Sequence, residues 1–241
     1  GENLSTGDRA EIKLVSTYAD TKPINVRTND SIIFENVIVN MEANKECIGT
    51  DVSTVRIPKL KVHGARLFVK SNGTTDFTYG GIKNVDVLEL AQRNYNEGGY
   101  ICSTRGIAVY ADKYMKIDVQ KRANYIKSST GHSIYCNTTA SLEIEGHIVD
   151  NEIPTLYVQQ SSNVSYGAIM TSGNVMFKTL SAYLSGDKYA LSGSGKNTIA
   201  FASNMQSHSL KATANSSDCD AIINVGGVYT GDVHDFVDNG V

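Results

Sequence analysis

The chain has 241 residues, a formal net charge of −3, 41% hydrophobic residues and 20% charged residues. This balance is typical of a folded protein that buries a substantial core, so it excludes a disordered chain. The sequence has no Lys/Arg-rich run and no stretch of 18 consecutive apolar residues. These features argue against nucleic acid as a partner and against insertion into a membrane.

Short strands and tight turns are the expected local structure. The chain has no Trp, only 3 Pro and 21 Gly, and Asn, Ser and Thr are abundant. No window keeps the apolar spacing of an amphipathic helix over three turns. The sequence therefore predicts an all-β protein in which helix is at most a minor element.

A three-residue pattern recurs along the chain, in which any residue stands between two apolar residues. Successive copies begin between 23 and 33 residues apart, which fits a short strand with its return path and loops of varied length. Further apolar segments lie between the copies and alternate as half-buried strands do, for example "RLFV" at 66–69 and "TLYVQQ" at 155–160. The copies begin at Ile32, Val55, Val85, Met115, Leu142, Val175, Ile199 and Ile222.

Coils of two or three short strands with Asn-, Ser- and Gly-rich corners resemble the right-handed parallel β-helix family. Within that family, the chain looks most similar to bacteriophage tail-spike and tail-fibre proteins. The predicted fold is therefore an all-β, right-handed parallel β-helix of about eight coils over residues 31–229. Residues 1–30 are expected to form an N-terminal capping or linking segment, and residues 230–241 a C-terminal tail or cap.

The resemblance also implies a function. It implies a structural and host-surface glycan-binding segment of an extracellular virion tail, with bacterial surface polysaccharide and other tail or baseplate proteins as partners. It further implies a homotrimer, in which the apolar residues Ile33, Met176 and Ile223 would pack against partner chains.

Two alternatives remain open. One is a tail-spike depolymerase, either a glycosidase or a lyase, that acts on capsule or lipopolysaccharide. The other is a bacterial β-helical surface adhesin. A non-enzymatic binding function is favoured, and no cofactor is expected.

Stacking the coils places equivalent residues about 4.7–4.9 Å apart. The outward residues between the two core positions of each copy then alternate in sign, which predicts a ladder of neighbouring opposite charges. In this register Asp86 is a structural residue, and Glu89 lies past the coil corner in solvent. The predicted ladder consists of Arg56, Asp86, Lys116 and Glu143.

Asp118 and Glu145 occupy the next outward column in adjacent coils. Two carboxylates this close raise the pKa of one of them, an arrangement that a glycosidase uses to obtain an acid and a nucleophile or base. Asp118 and Glu145 are therefore the candidate catalytic residues. The alternative is that both side chains splay into solvent and Lys178 neutralises them.

Tyrosines crowd residues 91–114, "AQRNYNEGGYICSTRGIAVYADKY", which is predicted to be a long insertion between the third and fourth copies. Inserted loops of a solenoid project from one face and often carry its function, and Tyr can contact sugar rings. The alternative is that these rings cover coil edges or pack against partner chains. The candidate ligand-binding residues are Arg93, Tyr95, Tyr100, Tyr110 and Tyr114.

The cysteines lack the paired short spacing of a zinc site, so no metal site is predicted. They are expected to be reduced and mostly buried thiols, and a contact or disulfide between Cys102 and Cys136 is left open. The four cysteines are Cys47, Cys102, Cys136 and Cys219.

Overall fold

The structure is a computed structural model. It describes residues 9–18, 21–72, 80–92, 97–121, 123–161, 165–178, 180–194, 198–201, 209–214, 222–225, 228–231 and 235–239, with side-chain burial up to residue 193. Within these ranges every regular element is a β strand. No helix of this part of the chain is long and apolar enough to cross a membrane.

The strands alternate in chain order among three sheets. The first sheet contains β1 (Ala10–Val15), β4 (Val37–Ala43), β7 (Arg66–Ser71), β10 (Tyr100–Arg105), β13 (Asn124–Ser128), β16 (Thr155–Gln160), β19 (Ser181–Gly186), β22 (Ser209–Ala214) and β25 (Asp235–Asn239). The second sheet contains β2 (Ile24–Asn25), β5 (Ile48–Gly49), β8 (Gly80–Ile82), β11 (Ile107–Ala111), β14 (Ile134–Cys136), β17 (Ile169–Thr171), β20 (Leu191–Ser194) and β23 (Ile222–Val225). The third sheet contains β3 (Ile32–Glu35), β6 (Ile57–His63), β9 (Val85–Ala91), β12 (Tyr114–Gln120), β15 (Ser141–His147), β18 (Asn174–Lys178), β21 (Thr198–Phe201) and β24 (Val228–Gly231).

Each strand pairs in parallel with the strand three positions further along the chain, as β12 does with β15. Successive triplets, from β1–β3 to β22–β24, are therefore coils of a right-handed parallel β-helix, and β25 extends the first sheet. The predicted fold class is confirmed. Strands of the solenoid also lie on both sides of the predicted range 31–229, since β1 and β2 precede it and β25 follows it.

The core is a set of aliphatic columns that run along the solenoid axis. Each inward residue stacks on its equivalent in the next coil, and burying one Leu, Ile or Val contributes about 1.5–3 kcal/mol. Members of the first-sheet column are at most 1% exposed: Leu67, Ile101, Ile126, Val158 and Leu184. The third-sheet column is fully buried: Leu60, Leu88, Ile117, Ile144 and Phe177.

The predicted register of the third sheet is right in its middle coils and wrong at both ends. Met115, Leu142, Val175 and Ile199 stand opposite one another as predicted. Val55 precedes β6, where Ile57 is the residue that pairs with Val85.

The register of β9 also differs from the prediction. Lys116 faces Val87 and Ile117 faces Leu88. The cause is that two outward residues follow Val85 before the next buried one, which shifts the rest of β9 by one position. At the far end, Ile222 is wrongly assigned, because it lies in the second sheet opposite Leu191.

Asparagine and glycine form several corners because they accept positive φ angles. Asn36 (φ 51°) and Gly64 (φ 55°) connect the third sheet to the first, and Asn84 (φ 62°) connects β8 to β9. The Asn84 side chain accepts a hydrogen bond from the backbone N of Thr50 at 3.3 Å and donates one to Asp112 Oδ2 at 2.9 Å. Asn84 thus satisfies polar groups of neighbouring coils as well as turning the chain.

The described cysteines are free thiols, as predicted for them. Burial raises the pKa of Cys47 to about 12 and that of Cys136 to about 11. Cys102 lies in the first sheet and Cys136 in the second, and they form no disulfide. Cys219 lies outside the described residues.

Candidate glycan-binding face and carboxylate array

The structure distributes the predicted Tyr-rich site around the solenoid. Tyr100 lies on the first sheet, Tyr110 on the second and Tyr114 on the third. Residues 100–111 form two strands of a coil, so the prediction of one projecting insertion is wrong for them. Tyr110 is buried and stacks on Tyr135 with ring centroids 5.3 Å apart. Arg93 and Tyr95 lie outside the described residues.

The outer face of the first sheet instead collects tyrosines from four consecutive coils. We call Tyr100, Tyr125, Tyr157 and Tyr183 the tyrosine column, because they stand opposite one another in register. Ring centroids are 4.8 Å apart between Tyr125 and Tyr157 and 4.9 Å apart between Tyr157 and Tyr183, with interplanar angles of 14° and 13°. These three rings cover one another's faces.

The stacking changes at one end of the tyrosine column. The Tyr100 ring is tilted by 49° against Tyr125 and by 54° against Phe68, with centroids 5.9 and 5.8 Å away. Lys127 Nζ lies 5.6 Å from the Tyr100 centroid and 4.9 Å from that of Tyr125. An ammonium over two rings is held there by cation–π attraction.

A cavity of about 280 Å³ opens at this tilted step, close to the lower end of the roughly 300–1,000 Å³ of ligand pockets. Its charged groups are paired: Arg66 Nη2 donates to Glu97 Oε1 at 2.8 Å and Arg66 Nε donates to Glu97 Oε2 at 3.1 Å. Arg9 Nη1 lies 2.8 Å from Glu97 Oε2. Burial tends to raise the pKa of Glu97, but the hydrogen bonds from Arg66 and Arg9 outweigh it and lower the pKa. The cavity is lined by Arg66, Glu97, Gly98, Tyr100, Ala123 and Tyr125.

Sequence reasoning missed the residues that surround Tyr100 here, including Arg66, Glu97 and Lys127. A usable signal was the tyrosine at the same outward position of successive segments, "YICS", "YIKSS", "TLYVQQ" and "SAYLSG". Aligning these segments by their buried residues would have produced the tyrosine column.

Three carboxylates lie side by side on the outer face of the third sheet, and we call Glu89, Asp118 and Glu145 the carboxylate array. Glu89 faces Asp118, and Asp118 faces Glu145, so the predicted adjacency of Asp118 and Glu145 is confirmed. Lysines occupy both ends of the column, Lys61 next to Glu89 and Lys178 next to Glu145.

Glu89 is only 6% exposed, so the predicted position in solvent is wrong. Lys59 Nζ donates to Glu89 Oε2 at 3.1 Å, and His63 Nε2 lies 2.6 Å from Glu89 Oε1. Burial tends to raise the pKa of Glu89, but the hydrogen bonds with Lys59 and His63 prevail and lower it. Glu89 is therefore an ionised residue that forms an ion pair with Lys59.

The pKa values of Asp118 and Glu145 shift in opposite directions although the two residues are adjacent. Asp118 is 8% exposed, and burial raises its pKa more than the nearby charges of His147 and Lys116 lower it. Burial of Glu145 is outweighed by its contact with Lys116, so the pKa of Glu145 is lowered.

His147 contacts both carboxyl groups from the neighbouring outward column. Its Nε2 is 2.9 Å from Asp118 Oδ1 and 4.0 Å from Glu145 Oε2. The contact with Asp118 lacks hydrogen-bond geometry, and Asp118 Oδ1 is buried without a hydrogen-bond partner. Asp118 and Glu145, whose pKa values shift in opposite directions, thus both contact the exposed side chain of His147.

The predicted charge ladder forms only in part. Arg56 contacts Asp86, and its Nη1 also donates to Asp112 Oδ2 at 3.0 Å. Lys116 faces Glu143 as predicted, with Nζ 4.0 Å from Glu143 Oε1. It stands opposite Val87 rather than Asp86, so the predicted step from Asp86 to Lys116 is wrong.

The fold places the chain in the class of right-handed parallel β-helix proteins. No protein-family model, no curated protein and no solved structure matches the chain at a significant level.

Proposed function

We propose that this β-helix is a host-surface glycan-binding segment of a phage tail fibre or tail spike, and that it binds glycan on the outer face of the first sheet. The observation that carries the proposal is the cavity at the tilted end of the tyrosine column, where Tyr100 and Tyr125 adjoin the Arg66–Glu97 pair. Aromatic side chains beside a few fixed polar groups are typical of small-ligand sites.

Each part of the cavity has a counterpart in a sugar. The C–H face of a pyranose ring can pack against the Tyr100 and Tyr125 side chains, and its hydroxyls can donate to Glu97 and accept from Arg66. The rest of the tyrosine column continues along the solenoid axis with one ring per coil. An extended polymer can therefore follow the face beyond the cavity.

The tail assignment also proposes an extracellular virion location, contacts with other tail or baseplate proteins, and a homotrimer. Ile33 is 58% exposed and Met176 37% exposed on the third sheet, which suits apolar contact with partner chains. The two residues lie in different columns, since Ile33 faces Lys61 and Met176 faces Glu143. Light scattering of the purified chain tests this part: a trimer mass is expected, and a monomer mass would remove it.

The binding proposal is tested with capsule and lipopolysaccharide preparations in a co-sedimentation or titration assay. We expect Tyr125→Ala to weaken binding by tenfold or more, since it removes one wall of the cavity. Tyr114→Ala is the matched control, because Tyr114 is 49% exposed on the third sheet. Equal binding by wild type and the Tyr125 variant would refute the proposed site.

A second candidate function is glycan cleavage by the carboxylate array, favoured by the opposite pKa shifts of Asp118 and Glu145. A protonated Asp118 would donate its proton to the glycosidic oxygen, while ionised Glu145 would act as nucleophile or as base for water. Reducing-end and unsaturated-product assays decide between the candidates. Products that disappear in Asp118→Asn and Glu145→Gln would establish cleavage, and binding without products would exclude it.

A further inference from the structure

The charge of the first-sheet face has a consequence for which glycan it binds. This inference rests on the proposed glycan-binding function. We infer that the ligand is an acidic polysaccharide, with a carboxylate or sulfate group bound at Lys127 Nζ beside Tyr100 and Tyr125.

The outer face of β10, β13, β16 and β19 is positively charged, although the whole chain carries −3. Its strand residues include two cations, Arg105 and Lys127, and no acid. A local excess of one charge sign attracts ligands of the opposite sign. The outward residues are Tyr100, Cys102, Thr104, Arg105, Tyr125, Lys127, Thr155, Tyr157, Gln159, Ser181, Tyr183 and Ser185.

Lys127 differs from the lysines of the third sheet. Lys59, Lys116 and Lys178 each form an ion pair with a carboxylate of the array or of Glu143. Lys127 makes no ion pair within the described part of the chain, and its contacts are the rings of Tyr100 and Tyr125. A bound anion would therefore gain a charge-assisted hydrogen bond without displacing a protein carboxylate.

Arg66, unlike Lys127, already forms an ion pair with a carboxylate. Glu97 binds its guanidinium through both carboxylate oxygens, at 2.8 and 2.9 Å from Nη2. Its charge is thus offset only in part before a ligand arrives, because Glu97 is shared with Arg9. Lys127 is the cation beside the cavity that has no carboxylate partner in the described structure, so we expect it to distinguish an acidic sugar from a neutral one.

The stacking geometry favours a polysaccharide over single-stranded nucleic acid. Bases bind by stacking on open aromatic faces. The faces of Tyr125, Tyr157 and Tyr183 are directed at one another, at interplanar angles of 14° and 13°. This column presents ring edges and phenol hydroxyls, which can contact the hydroxyls of a sugar.

The inference is tested by affinity electrophoresis or calorimetry with matched polymers. Polygalacturonate, hyaluronan and dextran sulfate are the acidic probes, and carboxyl-reduced polygalacturonate and dextran are the neutral ones. We expect wild type to bind at least one acidic polymer about tenfold more tightly than its neutral counterpart, and added salt to weaken this binding. Lys127→Gln should remove most of the difference. Lys113→Gln, an exposed lysine in the turn before β12, is the control and should change nothing.

The outcomes separate this inference from the proposed function. Equal affinity for acidic and neutral polymers, or an unchanged Lys127 variant, would overturn the inference while leaving Tyr125-dependent glycan binding intact. Binding of none of these polymers and of no envelope glycan would overturn both. Tight, Lys127-dependent binding of an oligo(dT) strand would assign the face to nucleic acid instead. Thermal melting of the Lys127 variant confirms that it is folded.

Discussion

The outer faces of the first and third sheets are built on the same parallel register but are stabilised differently. On the first sheet, three rings of the tyrosine column stack on one another and Lys127 has no carboxylate partner in the described structure. On the third sheet, lysines, histidines and carboxylates pair across the coils, as Lys59 does with Glu89. One backbone repeat therefore supports either an aromatic column or an ionic array.

The difference follows from what a spacing of about 4.8 Å does to each side-chain type. Identical rings at this distance attract one another, so a run of tyrosines is stable without any other group. Identical charges repel, so an ionic face must alternate in sign or bury one member in its neutral form. Burial raises the pKa of Asp118, which lies between Glu89 and Glu145, and so favours its neutral form.

Glu89→Gln is expected to have the largest effect on stability. It removes the charge that Lys59 and His63 contact and leaves Lys59 next to a neutral, nearly buried amide. We expect the free energy of unfolding to fall by about 3 kcal/mol. Asp150→Asn is the control for an exposed pair: Asp150 contacts Lys121 with 74% of its side chain exposed, and its loss should cost less than about 1 kcal/mol. Equal effects in denaturant melts would show that Glu89 is not held as described.

Tyr157→Ala should have the second-largest effect on stability, because the Tyr157 ring is stacked on both sides. Loss of two ring contacts should lower the free energy of unfolding by about 2 kcal/mol. Tyr157→Phe keeps both rings and should be nearly neutral. If the two variants are equally destabilised in urea melts, the hydroxyl rather than the stacking stabilises the tyrosine column.

Asp118→Asn tests the pH behaviour of the carboxylate array. The folded-state pKa of Asp118 is raised, so folding favours its neutral form, and the stability it contributes at low pH is lost as pH rises through that pKa. The Asn variant should therefore melt higher than wild type at pH 7, and the difference should shrink toward pH 3.

The pKa shift of Glu89 has the opposite sign to that of Asp118. The pKa of Glu89 is lowered, so its contribution is present above the unfolded value and is lost as pH falls through the folded value. The deficit of Glu89→Gln relative to wild type should thus shrink on acidification. Melting curves between pH 3 and pH 8 check both trends, and parallel curves for all three proteins would contradict them.

The smallest expected effect is the coupling between Glu143 and Lys178, whose charged atoms are 2.9 Å apart with about a quarter or less of each side chain exposed. A double-mutant cycle with Glu143→Gln and Lys178→Gln should give about 0.5 kcal/mol, and less at 1 M salt. A salt-independent coupling of several kcal/mol would mean that the third-sheet face is far less solvated than described.

The sequence predicted the fold because the core repeat is visible in it. Met115, Leu142, Val175 and Ile199 begin similar segments, and their alternation fixes the register of four coils. The prediction failed where alternation breaks. In β9, Val85 and Leu88 are both buried with two outward residues between them, and no period-2 pattern locates such a break.

The site could be predicted less well. The adjacency of Asp118 and Glu145 follows from the local register and was found. The burial of Glu89 depends on Lys59 and His63, which come from a coil whose register was misassigned. Tyr100, Tyr110 and Tyr114 are close in sequence but separate onto three faces, because a coil of three strands turns the chain around the axis between them.

The central claim, that glycan binds at the tilted end of the tyrosine column, is tested most directly by NMR of tyrosine-labelled protein. Tyrosine signals are assigned by single Tyr→Phe variants and followed while capsule or acidic polysaccharide fragments are added. We expect the ring signals of Tyr100 and Tyr125 to shift in a saturable way and that of Tyr114 to remain unchanged. Saturable shifts at Tyr114 with none at Tyr100 and Tyr125 would contradict the account.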